Sequence, residues 1–327
     1  MATIYYDQDA NLDVVKDKTV AIIGYGNQGR SQALNMRDSG LKHIIVGSVR
    51  DTSWEKARQD GFEAYPIEEA SKRADIIFLL LPDEIAPAIF KEKIAPNLEK
   101  GNVVNFSSGY NVTYGYIDLP ENIDVIMVAP RMIGKGVREL YESGEGFPSF
   151  LSVHQDVSGE AKEIAKALAK AIGSTKKGAI EVSFDDETYL DLFAEQITWP
   201  LIMKVLTEIY QFQVEMGHPE EAALMELYMS KEPVVMFEKF ADVGVFRQLP
   251  FHSNTSQYGQ MSSFQDVDSS YIRSFMKEKY NRITSGDFAK EWSKEQASGL
   301  ETFKKLREEV LKHALTKAED RLKSRLK

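Results

Sequence analysis

The stretch from Lys18 to Ser39, KTVAIIGYGNQGRSQALNMRDS, constrains the fold more than any other part of the chain. Val20, Ile22 and Ile23 read as a short buried strand, and Gly24-Tyr25-Gly26-Asn27-Gln28-Gly29 fits G-x-G-x-x-G at the point where that strand must turn into a helix. In that setting the first glycine permits the tight turn, the second lets a pyrophosphate approach the backbone, and the third lets the helix pack close to the strand. The helix N-terminus then offers unpaired N–H groups and a partial positive charge to phosphates. These six residues therefore read as a dinucleotide-binding turn, which requires a parallel α/β sheet around it.

The following residues supply that sheet. Lys42 to Val46 is a second strand, and Gly47 to Trp54 is the loop at its end, where the adenosine ribose of a dinucleotide falls. Arg50 with Thr52 and Ser53 could hold a 2′-phosphate, whereas Asp51 would repel one. The same hydroxyls also suit an ordinary N-cap for the helix that starts near Trp54, so the loop favours NADPH and leaves NADH open. Ala74 to Leu81 (ADIIFLLL) is a near-continuous apolar run, as expected of a strand buried on both faces, and it ends at Pro82-Asp83-Glu84. Asn102 to Phe106 and Val125 to Ala129 repeat the pattern, each followed by a polar loop: Ser107-Ser108-Gly109-Tyr110-Asn111, then Pro130-Arg131-Met132-Ile133-Gly134-Lys135-Gly136. Ligands of open α/β sheets lie outside the carboxyl ends of the strands, so Asp83, Ser108, Arg131 and Gly134 belong to the edge where chemistry is expected. Phe150 to His154 and Ala179 to Ser183 read as the last strands, flanking a helix over Gly159 to Ile172.

From about Ser183 the alternation of strand and helix stops. Residues 187–216, 219–229, 232–242 and 288–320 carry helical periodicity, so the expected organisation is a dinucleotide-binding domain over 1–182 and an all-helical domain over 183–327. At 327 residues the chain has room for two cores. Its net charge of −10, from 40 basic against 50 acidic residues, argues against nucleic acid or an anionic membrane as partner. With no cysteine, a disulfide scaffold and a thiolate metal site are both excluded. No leader pattern and no run of about 18 apolar residues is present, and the chain is most simply cytoplasmic. The histidines are scattered without shared spacing, which argues against a histidine metal site or a catalytic triad; Trp199 reads as core or subunit interface.

One helical segment, Asp185 to Gln196, carries chemistry. Asp191 and Glu195 are four apart and project from one helix face, about a turn from each other. Their neighbours Leu190, Leu192, Phe193, Ile197 and Trp199 are apolar, and carboxylates held in apolar surroundings must be paired or metal-bound. Hard oxygen ligands of this kind suit Mg²⁺, although a solvated face has the same spacing. Glu226 is a second acid in an apolar helix, ALMELYM.

YYDQDANL, GYGNQGRSQALNMRDSG, LLLPDE, VIMVAP, VHQDVSGEAKEIAKALAKAIG, DLFAEQ, HSNTSQYG and FAKEWSKEQASG together resemble the ketol-acid reductoisomerases of the short, class I type, in order and in spacing over nearly the whole chain. The resemblance implies a Rossmann domain followed by a knotted all-helical domain, in homodimers with a shared active site and with larger assemblies left open. It also implies an NAD(P)H- and Mg²⁺-dependent reaction, alkyl migration in 2-acetolactate or its ethyl homologue and then hydride transfer, in branched-chain amino-acid synthesis. Position by position, Asp191 matches a carboxylate bridging two Mg²⁺ ions, Glu195 a ligand to one of them, Glu226 a second-metal ligand from the partner subunit, and Ser253 a serine on the substrate carboxylate.

Three positions depart from the family pattern. A second glutamate one turn after Glu226 is Ser230 here, a histidine falls at Ser108, and a lysine falls at Arg131. Glu232 is a poor substitute, because at i+6 it points away from Glu226 and Pro233 follows it. Arginine keeps the positive charge but cannot give up a proton. Losing an anionic ligand and a base weakens the isomerisation before the hydride transfer, which mainly needs positioning. The sequence therefore frames three readings: a divergent reductoisomerase, a 2-keto acid reductase without the alkyl shift, and a non-catalytic dinucleotide-binding or assembly paralogue. The retained Asp191, Glu195, Glu226 and Ser253 argue against the last.

Overall fold

The computed structural model describes residues 1–326. The chain divides into two compact units, the first Met1–Asp191 and the second beginning at Leu192.

The strands of the first unit are β1 (Ile4–Tyr5), β2 (Val20–Ile23), β3 (Ile44–Gly47), β4 (Glu63–Tyr65), β5 (Ile76–Leu79), β6 (Val103–Phe106), β7 (Asp124–Pro130), β8 (Ser149–Gln155) and β9 (Ala179–Glu181). Between them run α1 (Asn27–Asp38), α2 (Thr52–Gln59), α3 (Ile67–Arg73), α4 (Ala86–Ile89), α5 (Tyr110–Thr113), α6 (Gly134–Glu142) and α7 (Ala161–Ile172). The strands form one sheet in the order β1-β9-β8-β7-β6-β5-β2-β3-β4. From β4 through β7 all neighbours are parallel, in the strand order of a dinucleotide-binding fold. Beyond β7 the sheet is mixed: β8 is antiparallel to β7, β9 is parallel to β8, and β1 is antiparallel to β9.

The central strands β2, β3, β5, β6 and β7 are buried at every position. Side chains alternate between two cores: Val20, Ile22, Ile76 and Phe78 meet α1 and α7, while Ala21, Ile23, Ile77 and Leu79 meet α3 and the segment around Phe90. Covering both faces is what makes these strands continuous apolar runs in the sequence. The edge strands β1 and β4 went unread there because they are two and three residues long and half exposed, with no apolar run to reveal them.

Helix α8 (Phe184–Phe193) leads from the first unit into a π-helical turn, Ala194–Thr198. The second unit continues with α9 (Trp199–Glu215), α10 (Glu220–Leu224), a second π-helical turn (Met225–Met229), α11 (Glu232–Val243), α12 (Asn254–Asp266), α13 (Ser270–Thr284), α14 (Asp287–Ala297), α15 (Glu301–Leu311) and α16 (Ala314–Lys323). It contains no strand among the described residues. Helix α12 was not legible in the sequence: it buries no residue and has no apolar stripe. A small core joins Tyr210, Ala223, Leu224, Ala318 and Leu322. Outside it, large apolar side chains stand exposed, among them Trp199 (56%), Phe212 (62%), Phe246 (63%) and Tyr258 (74%). Trp199 is therefore not a core residue of the single chain.

Candidate active site

The glycine turn divides into packed and open positions. Gly24 has φ +98°, and a Cβ there would lie 2.5 Å from the Leu80 carbonyl oxygen, so the turn rests against the end of β5. A Cβ on Gly29 would lie 2.0 Å from the Gly24 carbonyl oxygen, and one on Gly134 2.5 Å from the Asn27 carbonyl carbon. Gly134 thus lets the start of α6 close onto the start of α1. A Cβ on Gly26, by contrast, would meet nothing within 4 Å. Gly26 and Asn27 are exposed, and it is here that a pyrophosphate could reach the backbone. Tyr25 is buried, and Gln28 Nε2 donates to the Met132 carbonyl at 2.9 Å.

Where the strand order reverses, between β2 and β5, ligands of such sheets bind. A crevice of about 210 Å³ lies beside this point, lined by Gln28, Leu80, Asp83, Ser107, Ser108 and Asn111. Asn111 Nδ2 donates to both the backbone oxygen and the Oδ1 of Asp83 at 3.3 Å, fixing the rim. At the end of β3, Asp51 caps α2, its Oδ1 accepting from the Ser53 N–H at 2.9 Å and the Trp54 N–H at 3.1 Å. Thr52 and Ser53 are the first helical residues, and the Arg50 guanidinium lies 5.7 Å over the Trp54 ring.

The loops after β6 and β7 meet helix α8 at one buried carboxylate. Arg131 Nη2 lies 2.8 Å from Glu187 Oε1, and its Nη1 lies 3.1 Å from Asp191 Oδ1. The guanidinium also stacks 4.7 Å over the Phe150 ring. Glu187 is 1% exposed, and its Oε2 accepts the Gly109 N–H at 2.7 Å. Burial pushes the Glu187 carboxyl above its ordinary range, and the charge of Arg131 is the principal opposing influence. Ser108 Oγ accepts the Tyr110 N–H at 3.3 Å. The structure therefore brings Arg131 and the Gly109 N–H, next to Ser108 in the chain, onto Glu187, with Asp191 on the other prong of the same guanidinium; the sequence reading assigned Glu187 no role. The sequence carried only part of the signal: Glu187 precedes Asp191 by four, one turn earlier on the same helix, but nothing local marks it as buried.

In the helical unit the spacing argument needs correction. Helix α8 ends at Phe193, and Glu195 lies in the π-helical turn Ala194–Thr198, so Asp191 and Glu195 are not successive positions of one regular α-helix. Glu226 likewise lies in the π-helical turn Met225–Met229; such turns recur at functional sites. The apolar setting expected around these acids holds for Leu192 and Ile197, which are buried, but Leu190 is 55% exposed, and Glu195 and Glu226 face solvent in the single chain. The argument against Glu232 also changes. Lys231 is left-handed at φ +66°, which breaks the helix, and Glu232 and Pro233 open α11. Periodicity counted from Glu226 does not carry across that break. Ser253 caps α12, its Oγ accepting the Ser256 N–H at 3.3 Å, which leaves its own hydroxyl hydrogen to donate.

The strand order, the open second glycine and the crevice at the reversal point define a dinucleotide-binding protein of Rossmann type that carries a helical second unit. Family models agree in both parts: residues 14–178 match the acetohydroxy acid isomeroreductase NADPH-binding domain, and 184–327 match the ketol-acid reductoisomerase C-terminal domain. The chain is 44% identical over 328 residues to the ketol-acid reductoisomerase (NADP(+)) of Pyrobaculum aerophilum, covering 100% of this chain and 99% of that one. It is 42% identical to the enzyme of the same name from Pyrococcus abyssi, covering 96% and 94%. The solved structure of an NADH-preferring ketol-acid reductoisomerase from an uncultured archaeon superposes with a TM-score of 0.92 at 36% identity, covering 98% of both chains. The chain belongs to the ketol-acid reductoisomerase family.

Proposed function

We propose that this protein is an NAD(P)H- and Mg²⁺-dependent ketol-acid reductoisomerase that acts on 2-acetolactate or its ethyl homologue in branched-chain amino-acid biosynthesis. Family membership over both units carries this reading, and the retained Asp191, Glu195, Glu226 and Ser253 support it. Bound, the dinucleotide supplies the hydride and the divalent ion supplies Lewis acidity.

The residues present fit both groups. The turn at Gly26 leaves backbone open to a pyrophosphate, and Arg50, Thr52 and Ser53 lie where the ribose end would fall. Asp191, Glu195 and Glu226 are hard oxygen donors of the kind Mg²⁺ takes. No cluster of three or more acidic or histidine side chains is poised to hold a metal ion among the described residues of one chain. A dimer in which Glu226 comes from the partner subunit accounts for this, and the exposed apolar side chains of the helical unit give such a dimer a surface to bury. Arg131 holds a fixed positive charge against Asp191, and Ser253 donates toward the substrate carboxylate. We take the functional division between the cofactor half and the metal half to lie near 182–183, whereas the compact units divide after Asp191. No helix among the described residues is long and apolar enough to cross a membrane, and the place of action we infer is the cytoplasm.

Ser230, Ser108 and Arg131 favour a second reading, a 2-keto acid reductase without the alkyl shift. The first test follows NADPH oxidation on 2-acetolactate with Mg²⁺ and after chelation. Turnover that needs both the ion and the substrate supports the proposal; no turnover with Mg²⁺ present overturns it.

A further inference from the structure

We infer that Asp60, placed where no cofactor atom is expected to touch it, is a positioning residue for the dinucleotide turn and acts through Tyr25. The inference rests on the reading that Gly24 to Gly29 binds the dinucleotide.

Asp60 follows the last residue of α2, and its side chain is 11% exposed. Three elements converge on it. Tyr25 Oη donates to Asp60 Oδ2 at 3.0 Å. Arg30, on α1, donates from Nε to Oδ2 at 2.6 Å and from Nη2 to Oδ1 at 3.1 Å, a two-pronged pair. Lys56 Nζ lies 3.6 Å from Oδ1, and Arg37 Nη1 donates to the Asp60 backbone carbonyl at 2.8 Å. The Arg30 hydrogen bonds hold the Asp60 carboxyl below its usual range, so the anchor is charged at neutral pH.

Tyr25 needs such an anchor because of its neighbours in sequence. It stands between Gly24 and Gly26, the two residues least able to fix a backbone by themselves. Its ring is 4% exposed and meets Phe62 edge to face at 6.0 Å, and its hydroxyl is tied to Asp60. The open backbone at Gly26 is therefore set one residue from a side chain fixed at both ring and hydroxyl. The same carboxylate sits at the far end of α2 from Asp51, so one clasp sets the spacing between the pyrophosphate turn and the ribose loop. Binding groups displaced by a fraction of an ångström lose much of their worth.

The test is a double-mutant cycle on the full-length protein, titrating NADPH by fluorescence. Asp60→Asn keeps the shape and removes the charge; Tyr25→Phe removes one oxygen. Losing the hydrogen bond to a charged group predicts NADPH binding weakened about tenfold in Y25F, and about threefold in D60N, whose amide oxygen still accepts from the hydroxyl. If Asp60 acts through Tyr25, the double variant is no weaker than Y25F by more than about twofold. The KM for NADPH rises in step with the loss of affinity in both single variants, and Asp60→Glu recovers part of the affinity. Affinities in D60N and Y25F within about twofold of wild type, or effects that multiply in the double variant, overturn the inference. Should D60N fail to fold, Y25F decides the question alone. Wild-type protein that binds no NADPH would instead overturn the cofactor reading beneath it.

Discussion

Arg131 Nη2 lies 2.8 Å from Glu187 Oε1, and the other prong of the same guanidinium reaches Asp191 Oδ1 at 3.1 Å. A single cation thus pairs a fully buried carboxylate with one that is half exposed. Two loops at the carboxyl ends of β6 and β7 are tied to α8 by this arrangement, since Glu187 also accepts the Gly109 N–H.

Removing Arg131 leaves the Glu187 charge buried and unpaired. Arg131→Met should lower unfolding stability by about 3 kcal/mol, the lower end for a broken buried pair because Arg131 is itself 24% exposed. Arg131→Lys keeps the charge but loses the fork and should cost about 1 kcal/mol. Urea unfolding measures both. A Met variant as stable as wild type would show that the pair contributes nothing.

Gly26 and Gly29 should respond differently to alanine. A Cβ on Gly26 meets open space, whereas one on Gly29 would lie 2.0 Å from the Gly24 carbonyl oxygen. Gly26→Ala should keep the melting temperature and weaken NADPH binding, while Gly29→Ala should lower stability by about 1–3 kcal/mol. Thermal melts paired with NADPH titration separate the two; equal loss of stability in both would contradict the division of roles.

Asp51 serves as the cap of α2 and as a negative charge beside the expected 2′-phosphate position. Asp51→Ser retains a capping oxygen and removes the charge. It should lower the KM for NADPH relative to that for NADH, with the helix intact by circular dichroism. An unchanged ratio of the two KM values would place the 2′-phosphate elsewhere.

Glu181 gives a pH dependence with a defined sign. Hydrogen bonds from Lys162 at 2.7 Å and then from Tyr5 at 2.5 Å hold its carboxyl below the ordinary range. A lowered folded-state value means that the unfolded chain takes up protons first as pH falls. This contribution is present above the ordinary glutamate value of about 4.3 and is lost as pH falls further. Glu181→Gln should flatten the stability slope below that point in urea unfolding at graded pH. A slope unchanged by the substitution would assign acid sensitivity to other carboxylates.

Much of the first unit was legible because its central strands are buried on both faces, so their apolar runs stand out, and because Gly24 to Gly29 marks where the sheet must turn. The loops bearing Ser108 and Arg131 were placed by the same logic. Glu187 was passed over because local sequence does not reveal that a distant arginine and the Gly109 N–H converge on it. The helical unit was harder to read. Helix α12 lacks an apolar stripe, and the π-helical turns at Glu195 and Glu226 and the left-handed Lys231 interrupt the periodicity on which spacing arguments rely.

The most direct measurement compares turnover of 2-acetolactate with that of 3-hydroxy-3-methyl-2-oxobutanoate, each with Mg²⁺ and NADPH and with product identity determined. The second compound needs reduction but no alkyl shift. A working reductoisomerase turns over both and converts them to the same dihydroxy acid, with Ser230, Ser108 and Arg131 accommodated in its site. Turnover of the second compound alone would contradict that account and leave a reductase that has lost the isomerisation.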